Sequence, residues 1–194
     1  MEYPLNFSFK ILALSPQLAV TDAGGNLIYY VKQKLFKLKE EVTVFADQEQ
    51  TQPLYKINAD RVIDFSARYH FSDTTGNALG SVKRQGMKSL WKASYDILDG
   101  EEIVMNIVQE NPWIGVVDSI LEQIPLVSIA TSYLLHPKYL ISRADGTPVR
   151  RLTKQPAFFE GKFRLDKLAD ISEAEERRAI LSLLMMVLLE RARG

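Results

Sequence analysis

Short apolar runs separated by polar turn clusters dominate the chain from about residue 18 to residue 166. The runs are rich in Val, Ile, Tyr, Phe and Leu, and the Asp, Asn and Gly residues between them favour tight turns. Apolar and polar positions alternate through residues 62–71, which is typical of a strand with one face on a core. The pattern predicts about twelve strands, at residues 7–12, 18–22, 27–38, 41–46, 53–58, 61–71, 78–84, 88–98, 102–109, 138–143, 148–154 and 161–166.

A helical pattern occupies the carboxyl-terminal part of the chain. Ser172 and Glu175 form an S-x-x-E capping box, which predicts the start of a helix that runs to about residue 190. Residues 179–189 are apolar around the whole circumference of this helix except at one serine. A helix without a polar face should be enclosed on all sides.

The strands and the terminal helix fit one geometry. A barrel of eight strands is filled by its own side chains, whereas a closed barrel of eleven or twelve strands leaves room for a further element. We therefore predict a mainly β (α+β) fold, a closed antiparallel barrel of about twelve strands around the buried hydrophobic carboxyl-terminal helix. Residues 1–194 are expected to form a single domain, with the central helix at about residues 172–190.

A second helical pattern interrupts the strands at about residues 111–137. Asn111 is a suitable N-cap, and apolar residues then recur at helical spacing. Its apolar face carries candidate contacts to a membrane or a partner, namely Trp113, Ile114 and Val117. Asp118 and Glu122 make the polar face acidic, which favours packing of this helix over one end of the barrel instead.

Four segments resemble a known family. They are D-x-G-G-N-L-I-Y-Y-V-K-Q-K at residues 22–34, the strand at 60–71, G-x-x-x-L-W-K-A-S-Y-D-I at 86–97 and D-G-T-P-V-R-R-L-T-K at 145–154. With them the chain resembles the LURP-one-related proteins, which are grouped with tubby C-terminal domains and phospholipid scramblases. The resemblance implies a tubby-like barrel around a hydrophobic helix, and a basic surface that binds phosphoinositide headgroups. Calcium is not implied, because no acidic segment has the spacing of a calcium-binding loop.

Basic residues supply the candidate ligand-binding surface. The candidates are Lys32, Lys34, Lys37, Lys39, Arg150 and Arg151. The four lysines would all project outward from one strand if a bulge lay near residues 35–36. Lysines on strands also keep a sheet soluble and prevent edge pairing, so a purely structural role remains open.

Composition excludes several other classes. Lys plus Arg is 24 and Asp plus Glu is 24, so there is no excess of basic residues to drive nonspecific nucleic-acid binding. The absence of cysteine excludes disulfides and thiolate chemistry. Two histidines far apart in sequence do not indicate a metal centre, and no catalytic motif is present. We expect no enzymatic activity, no cofactor and no metal.

The hydrophobic segments are too short to predict a transmembrane helix, and the first residues do not resemble a secretory signal. We therefore expect a cytoplasmic location, with peripheral association at a membrane surface. The expected function is a non-enzymatic binding or tethering module for anionic phospholipid headgroups or phosphorylated ligands. The alternatives are a structural or protein-interaction barrel without a lipid role, and a small-molecule or acyl-chain binder.

Overall fold

The computed structural model describes residues 1–10, 17–32, 41–60, 67–85, 94–110, 137–157 and 160–191. These residues form twelve strands and one helix in the order β1 (Leu5–Lys10), β2 (Gln17–Thr21), β3 (Leu27–Lys32), β4 (Glu41–Phe45), β5 (Pro53–Ala59), β6 (Arg68–Asp73), β7 (Ala78–Arg84), β8 (Ser94–Asp99), β9 (Glu102–Gln109), β10 (Lys138–Arg143), β11 (Pro148–Gln155), β12 (Glu160–Lys167) and α1 (Glu173–Arg191). Each predicted strand segment overlaps one of these strands. The helix predicted at residues 111–137 lies outside the described residues.

The strands form a closed antiparallel barrel, which confirms the predicted fold. Each strand pairs with its neighbours in sequence, and β1 closes the barrel by pairing with both β2 and β12. The inward face of β1 shows the expected period of two, with Leu5, Phe7 and Phe9 buried between exposed or half-buried residues. These side chains contribute to the core that surrounds α1.

Helix α1 fills the barrel. Residues 179–188 are all at most 4% exposed, so the helix is buried on every face. Its amino terminus has the predicted capping box, because the Ser172 backbone N–H donates to Glu175 Oε2 at 2.8 Å and the Glu175 N–H donates to Ser172 Oγ at 3.3 Å. The predicted enclosed helix is confirmed.

The two ends of the barrel carry different connections. Because neighbouring strands run antiparallel, successive connections alternate between the ends. The turns at residues 22–26, 46–52, 73–77, 99–102 and 143–147 lie together at what we call the turn end. The amino terminus of α1 also lies there, since Glu175 pairs with Arg143 at the end of β10. The carboxyl terminus of α1 lies at the opposite end, where Tyr95 near the start of β8 donates a hydrogen bond to Glu190.

A glycine allows α1 to approach the wall closely at β7. Gly80 has a φ of +124°, and a Cβ atom there would lie 2.6 Å from the Leu98 carbonyl oxygen and 2.9 Å from Arg178 Cδ. The Arg178 side chain crosses this position, donates from Nε to the Leu79 carbonyl at 2.8 Å and pairs with Asp99. The contact fixes the rotation of α1 relative to β7.

Candidate functional site

Lys32 lies at the last position of β3 and is exposed. The register places Gln17 of β2 opposite Lys32 and also opposite Lys10, the exposed last residue of β1. Since adjacent strands are about 4.8 Å apart, the two lysine Cα atoms are separated by about 10 Å across the outer wall. The other predicted lysines, Lys34, Lys37 and Lys39, lie outside the described residues, in the connection that follows β3.

Two further exposed lysines lie at the same end of the barrel. Lys138 begins β10, and Lys154 is the next-to-last residue of β11. With Lys10 and Lys32 they occupy one half of the barrel circumference, from β3 through β2, β1, β12 and β11 to β10. We call Lys10, Lys32, Lys138 and Lys154 the basic rim. No ion pair joins a basic-rim lysine to a carboxylate among the described side chains.

Acidic residues also lie beside the basic rim. The Glu110 backbone N–H donates to the Lys138 carbonyl at 2.8 Å, and the exposed Glu41 begins β4 at the same end of the barrel. Glu160, the first residue of β12, is the cross-strand partner of Lys10. Lys162 of β12 lies opposite Ser8 of β1 and is exposed. The charge of the rim is therefore distributed along the strand ends and is not gathered at one point.

Arg150 does not belong to an exposed basic surface. Its side chain is 1% exposed and lies on the inward face of β11, where it pairs with Glu176 of α1. Arg150 Nε also donates to the Tyr3 hydroxyl at 2.9 Å, and Nη1 donates to the carbonyls of Val149 and Ala169 at 2.6 Å. All of its donor nitrogens are thus used inside the protein, which corrects the prediction that Arg150 contributes to the outer surface.

Burial and charge act in opposite directions on this network. Burial disfavours the charge on Arg150, but the hydrogen bond and the charge of Glu176 outweigh it and raise the pKa of the guanidinium. Burial and the hydrogen bond to Glu176 raise the pKa of the Tyr3 hydroxyl. The network joins the amino-terminal segment, β11 and α1.

Arg151 points outward and is also paired. Its guanidinium donates two hydrogen bonds to Glu110, from Nε at 3.0 Å and from Nη2 at 3.1 Å. The Arg151 side chain is 40% exposed, so it remains accessible while its charge is balanced. Of the two arginines predicted from the sequence, the structure places one inside the barrel and one on its outer wall.

Every arginine whose side chain the structure describes has a carboxylate partner. The pairs are Arg68–Glu101, Arg84–Glu190, Arg143–Glu175, Arg150–Glu176, Arg151–Glu110, Arg164–Asp166, Arg177–Glu173 and Arg178–Asp99. The accessible positive charge of the described residues is therefore carried mainly by lysine. That distinction matters for ligand chemistry, because arginine forms directed forks and lysine is a point charge.

The turn end is acidic. Its turns contain aspartates whose carboxylates accept backbone N–H groups of the same turn, namely Asp22, Asp47, Asp73 and Asp145. These hydrogen bonds lower the pKa of each carboxyl, and the bond from the Asn77 side chain contributes most to the pKa of about 2 at Asp73. Glu101 and Glu173 are each 90% exposed at this end. Although the chain has equal numbers of acidic and basic residues, acidic residues predominate at the turn end and exposed lysines lie at the other end.

The dipole of α1 does not account for this separation. The carboxyl terminus of a helix carries about half a negative charge and attracts cations, which agrees with the side on which the basic rim lies. The rim, however, holds several full charges, and Arg84 already lies 3.8 Å from Glu190 beside the helix terminus. Most of the charge of the rim therefore remains directed toward solvent.

Other predicted positions add no site among the described residues. Trp113, Ile114 and Val117 lie outside the part of the chain that the structure describes. Within that part, no group of three or more histidine, aspartate or glutamate side chains could hold a metal ion. The described residues also contain no helix long and apolar enough to cross a membrane.

Sequence reasoning grouped Lys154 with Arg150 and Arg151 as a basic cluster, but it missed Lys10 and Lys138 as site residues. Lys10 and Lys138 are each an isolated lysine in their own segment, so no local charge cluster marks them. They come together only because β1 pairs with β12, two segments about 150 residues apart in sequence. The available signal was their shared position at strand ends, which requires the barrel order to interpret.

The fold defines a class of protein, a closed antiparallel β-barrel that encloses its carboxyl-terminal helix. The model of the LURP-one-related family matches residues 27–119, which confirms the resemblance that the sequence motifs predicted. An X-ray structure of a protein from Arabidopsis thaliana is similar, with a TM-score of 0.49 and 14% sequence identity over 95% of this chain and 89% of that chain. None of the curated proteins matches the chain at a significant level.

Proposed function

We propose that this protein is a non-enzymatic tethering module that binds the surface of an anionic phospholipid bilayer through its basic rim. The observation that carries the proposal is the separation of charge between the two ends of the barrel. Lys10, Lys32, Lys138 and Lys154 are exposed at one end, whereas the turns of the other end are acidic. A bilayer with anionic lipids attracts the first surface and repels the second.

The charge arrangement gives the protein an orientation on the membrane. With the basic rim toward the headgroups, the carboxyl terminus of α1 faces the bilayer and the turn end faces away. The binding is peripheral and electrostatic in this arrangement, and the enclosed helix stays inside the barrel. The protein would then hold whatever binds its wall or its turn end close to the membrane.

The filled barrel argues against an acyl-chain carrier. Residues 179–188 of α1 occupy the interior and are at most 4% exposed. A carrier would need part of this space for its ligand. A protein-interaction barrel without a lipid role is the competing function, and the test below separates the two.

Flotation with lipid vesicles tests the proposal. The wild-type protein should float with vesicles that contain phosphatidylserine and should remain unbound with pure phosphatidylcholine. The variant Lys10→Gln/Lys32→Gln should lose most of this binding, by about 1 kcal/mol for each lysine removed. The matched control Lys56→Gln/Lys167→Gln has the same net charge, but its substitutions lie in the middle of β5 and at the turn end.

The comparison of the two double variants decides the outcome. Equal flotation of both variants would contradict a role for the basic rim. No flotation of the wild type at low ionic strength would favour the protein-interaction barrel.

A further inference from the structure

We infer that the basic rim recognises the charge density of an anionic bilayer and not the stereochemistry of one headgroup, an inference that rests on the proposed function. It follows from the type of cation that the structure leaves accessible and from the spacing of those cations. Both features can be tested without knowing the lipid that the protein meets in a cell.

Arginine and lysine have different roles on the described surface. Selective recognition of a phosphate group commonly uses the planar fork of arginine, which donates two parallel hydrogen bonds. All arginines with described side chains already pair with a carboxylate, as Arg151 does with Glu110 and Arg164 with Asp166. The basic rim is formed by lysines, whose ammonium groups are flexible and hydrated point charges.

The lysines of the basic rim are also widely spaced. The Cα atoms of Lys10 and Lys32 are separated by one intervening strand, or about 10 Å. Lys138 and Lys154 lie on two other strands of the same half of the barrel. Lys32 on β3 and Lys138 on β10 are five strand spacings apart, or about 24 Å along the wall. A single phosphate cannot contact all four lysines across this arc, whereas several lipid headgroups side by side can each approach one lysine.

A site of this kind has a defined response to substitution. Each lysine contributes independently, so that loss of one weakens partitioning to the vesicle about fivefold, whichever lysine is removed. Partitioning to the vesicle depends on the number of positive charges on the rim and only weakly on their positions. Binding also falls steeply with ionic strength, because the interactions are solvent-exposed.

A charge-transposition variant tests the position argument directly. Gln17 lies between Lys10 and Lys32 in the same cross-strand row. The variant Lys10→Gln/Gln17→Lys therefore moves one positive charge by about 5 Å to the adjacent strand and keeps the net charge. Vesicle partitioning is measured for wild type, Lys10→Gln and Lys10→Gln/Gln17→Lys, with thermal unfolding as a check on folding.

We expect Lys10→Gln to bind about fivefold more weakly and the transposed variant to regain wild-type partitioning. A transposed variant as weak as Lys10→Gln would overturn the inference. Lys32→Arg and Lys32→Gln give a second comparison that does not depend on the new lysine in β2. Lys32→Arg should partition like wild type, and an increase or loss of about tenfold would indicate directed hydrogen bonding.

Selectivity for one headgroup is tested with two sets of vesicles of equal zeta potential, one with phosphatidylserine and one with phosphatidylinositol 4,5-bisphosphate. Equal partitioning, without competition by soluble inositol trisphosphate at the same ionic strength, is the expected result. A strong preference for one lipid, or displacement by the soluble headgroup, would overturn the inference and leave the membrane function standing. No binding to either set would refute both.

Discussion

At the scale of single residues, the direction of a side chain decides its role more than its charge does. Arg150 and Arg151 are neighbours in β11, yet the first is 1% exposed beside α1 and the second is 40% exposed on the outer wall. Arg150 is a structural residue because its charge is compensated inside the protein by Glu176. The same type of side chain at the next position contributes to the surface.

The Arg150–Glu176 pair should show strong coupling in a double-mutant cycle. Glu176→Leu should destabilise the protein by about 3–5 kcal/mol, because it leaves a buried guanidinium without its carboxylate. The double variant Arg150→Met/Glu176→Leu should lose less than the sum of the losses in Arg150→Met and Glu176→Leu, since it removes both charges. Chemical denaturation of the four proteins measures these differences.

The exposed pair Arg164–Asp166 supplies the control for that cycle. Its side chains are 51% and 37% exposed, so Asp166→Asn should change stability by no more than about 1 kcal/mol. Additive losses at Arg150 and Glu176 would contradict a coupled buried pair.

At the scale of the secondary-structure elements, α1 and the barrel depend on each other. The helix has no polar face between residues 179 and 188, and among the described residues the inward faces of the strands pack against the helix and against each other. Ser182 is a fully buried exception, and its hydroxyl has no hydrogen-bond partner among the described residues. The middle of α1 is therefore stabilised by apolar packing. The ion pairs of Glu175, Glu176, Arg178 and Glu190 with the barrel lie toward its two ends.

Leu184→Asp should destabilise the protein by at least about 4 kcal/mol, because it replaces a fully buried leucine with a carboxylate that has no partner. Ala174→Asp is the matched control in the exposed first turn of the same helix, where an acidic residue is tolerated. Thermal unfolding of both variants measures the difference. A melting temperature for Leu184→Asp equal to that of the control would mean that α1 is not enclosed.

The cap of α1 should make stability depend on pH. The hydrogen bond from Arg143 lowers the pKa of Glu175 from its ordinary value of 4.5 to about 2, with a further contribution from the Ser172 backbone N–H. A lowered folded-state pKa means that this contribution to stability is present above about pH 4.5 and is lost as the pH falls toward about 2. The Glu175→Gln variant should therefore lose less stability than wild type between these pH values, as measured by thermal unfolding.

Parallel pH profiles for wild type and Glu175→Gln would contradict the role of this ion pair. The aspartates of the turns, including Asp73, titrate in the same direction in both proteins. They therefore do not affect the comparison.

At the scale of the whole molecule, the barrel has two ends of opposite charge although the chain as a whole is neutral. The alternation of connections between the two ends produces this arrangement. Turns built on aspartate, asparagine and glycine lie at one end, and the lysines of the basic rim terminate or begin strands at the other. The proposed membrane function is a property of this distribution and of no single residue.

Much of the fold could be predicted because its signals are local. The turns at Asp22, Asp73 and Asp145 and the capping box at Ser172 each follow from a few neighbouring residues. The enclosed helix also follows from its own apolar circumference. These features are determined by short stretches of chain, so the sequence contains enough information to identify them.

The candidate site was predicted only in part because it is not local. Lys32 was identified because it lies beside other lysines in sequence, whereas Lys10 and Lys138 depend on the closure of the barrel. Leu152 is a sequence signal that Arg150 points inward, because it lies two positions away on the same strand face and is fully buried. Val149 is also buried but lies on the opposite face of the strand from Leu152. The apolar residues of β11 therefore do not by themselves identify its inward face.

The orientation of the barrel on a membrane is the most direct test of the account. The chain has no cysteine, so a single introduced cysteine can be labelled with an environment-sensitive fluorophore without removing others. Ala157→Cys places the label just after β11 at the end of the basic rim, and Thr74→Cys places it in the turn between β6 and β7 at the turn end. With vesicles that contain phosphatidylserine, we predict a blue shift and quenching by lipid-borne quenchers at residue 157 and none at residue 74. Equal responses at both positions, or a response at residue 74 alone, would contradict it.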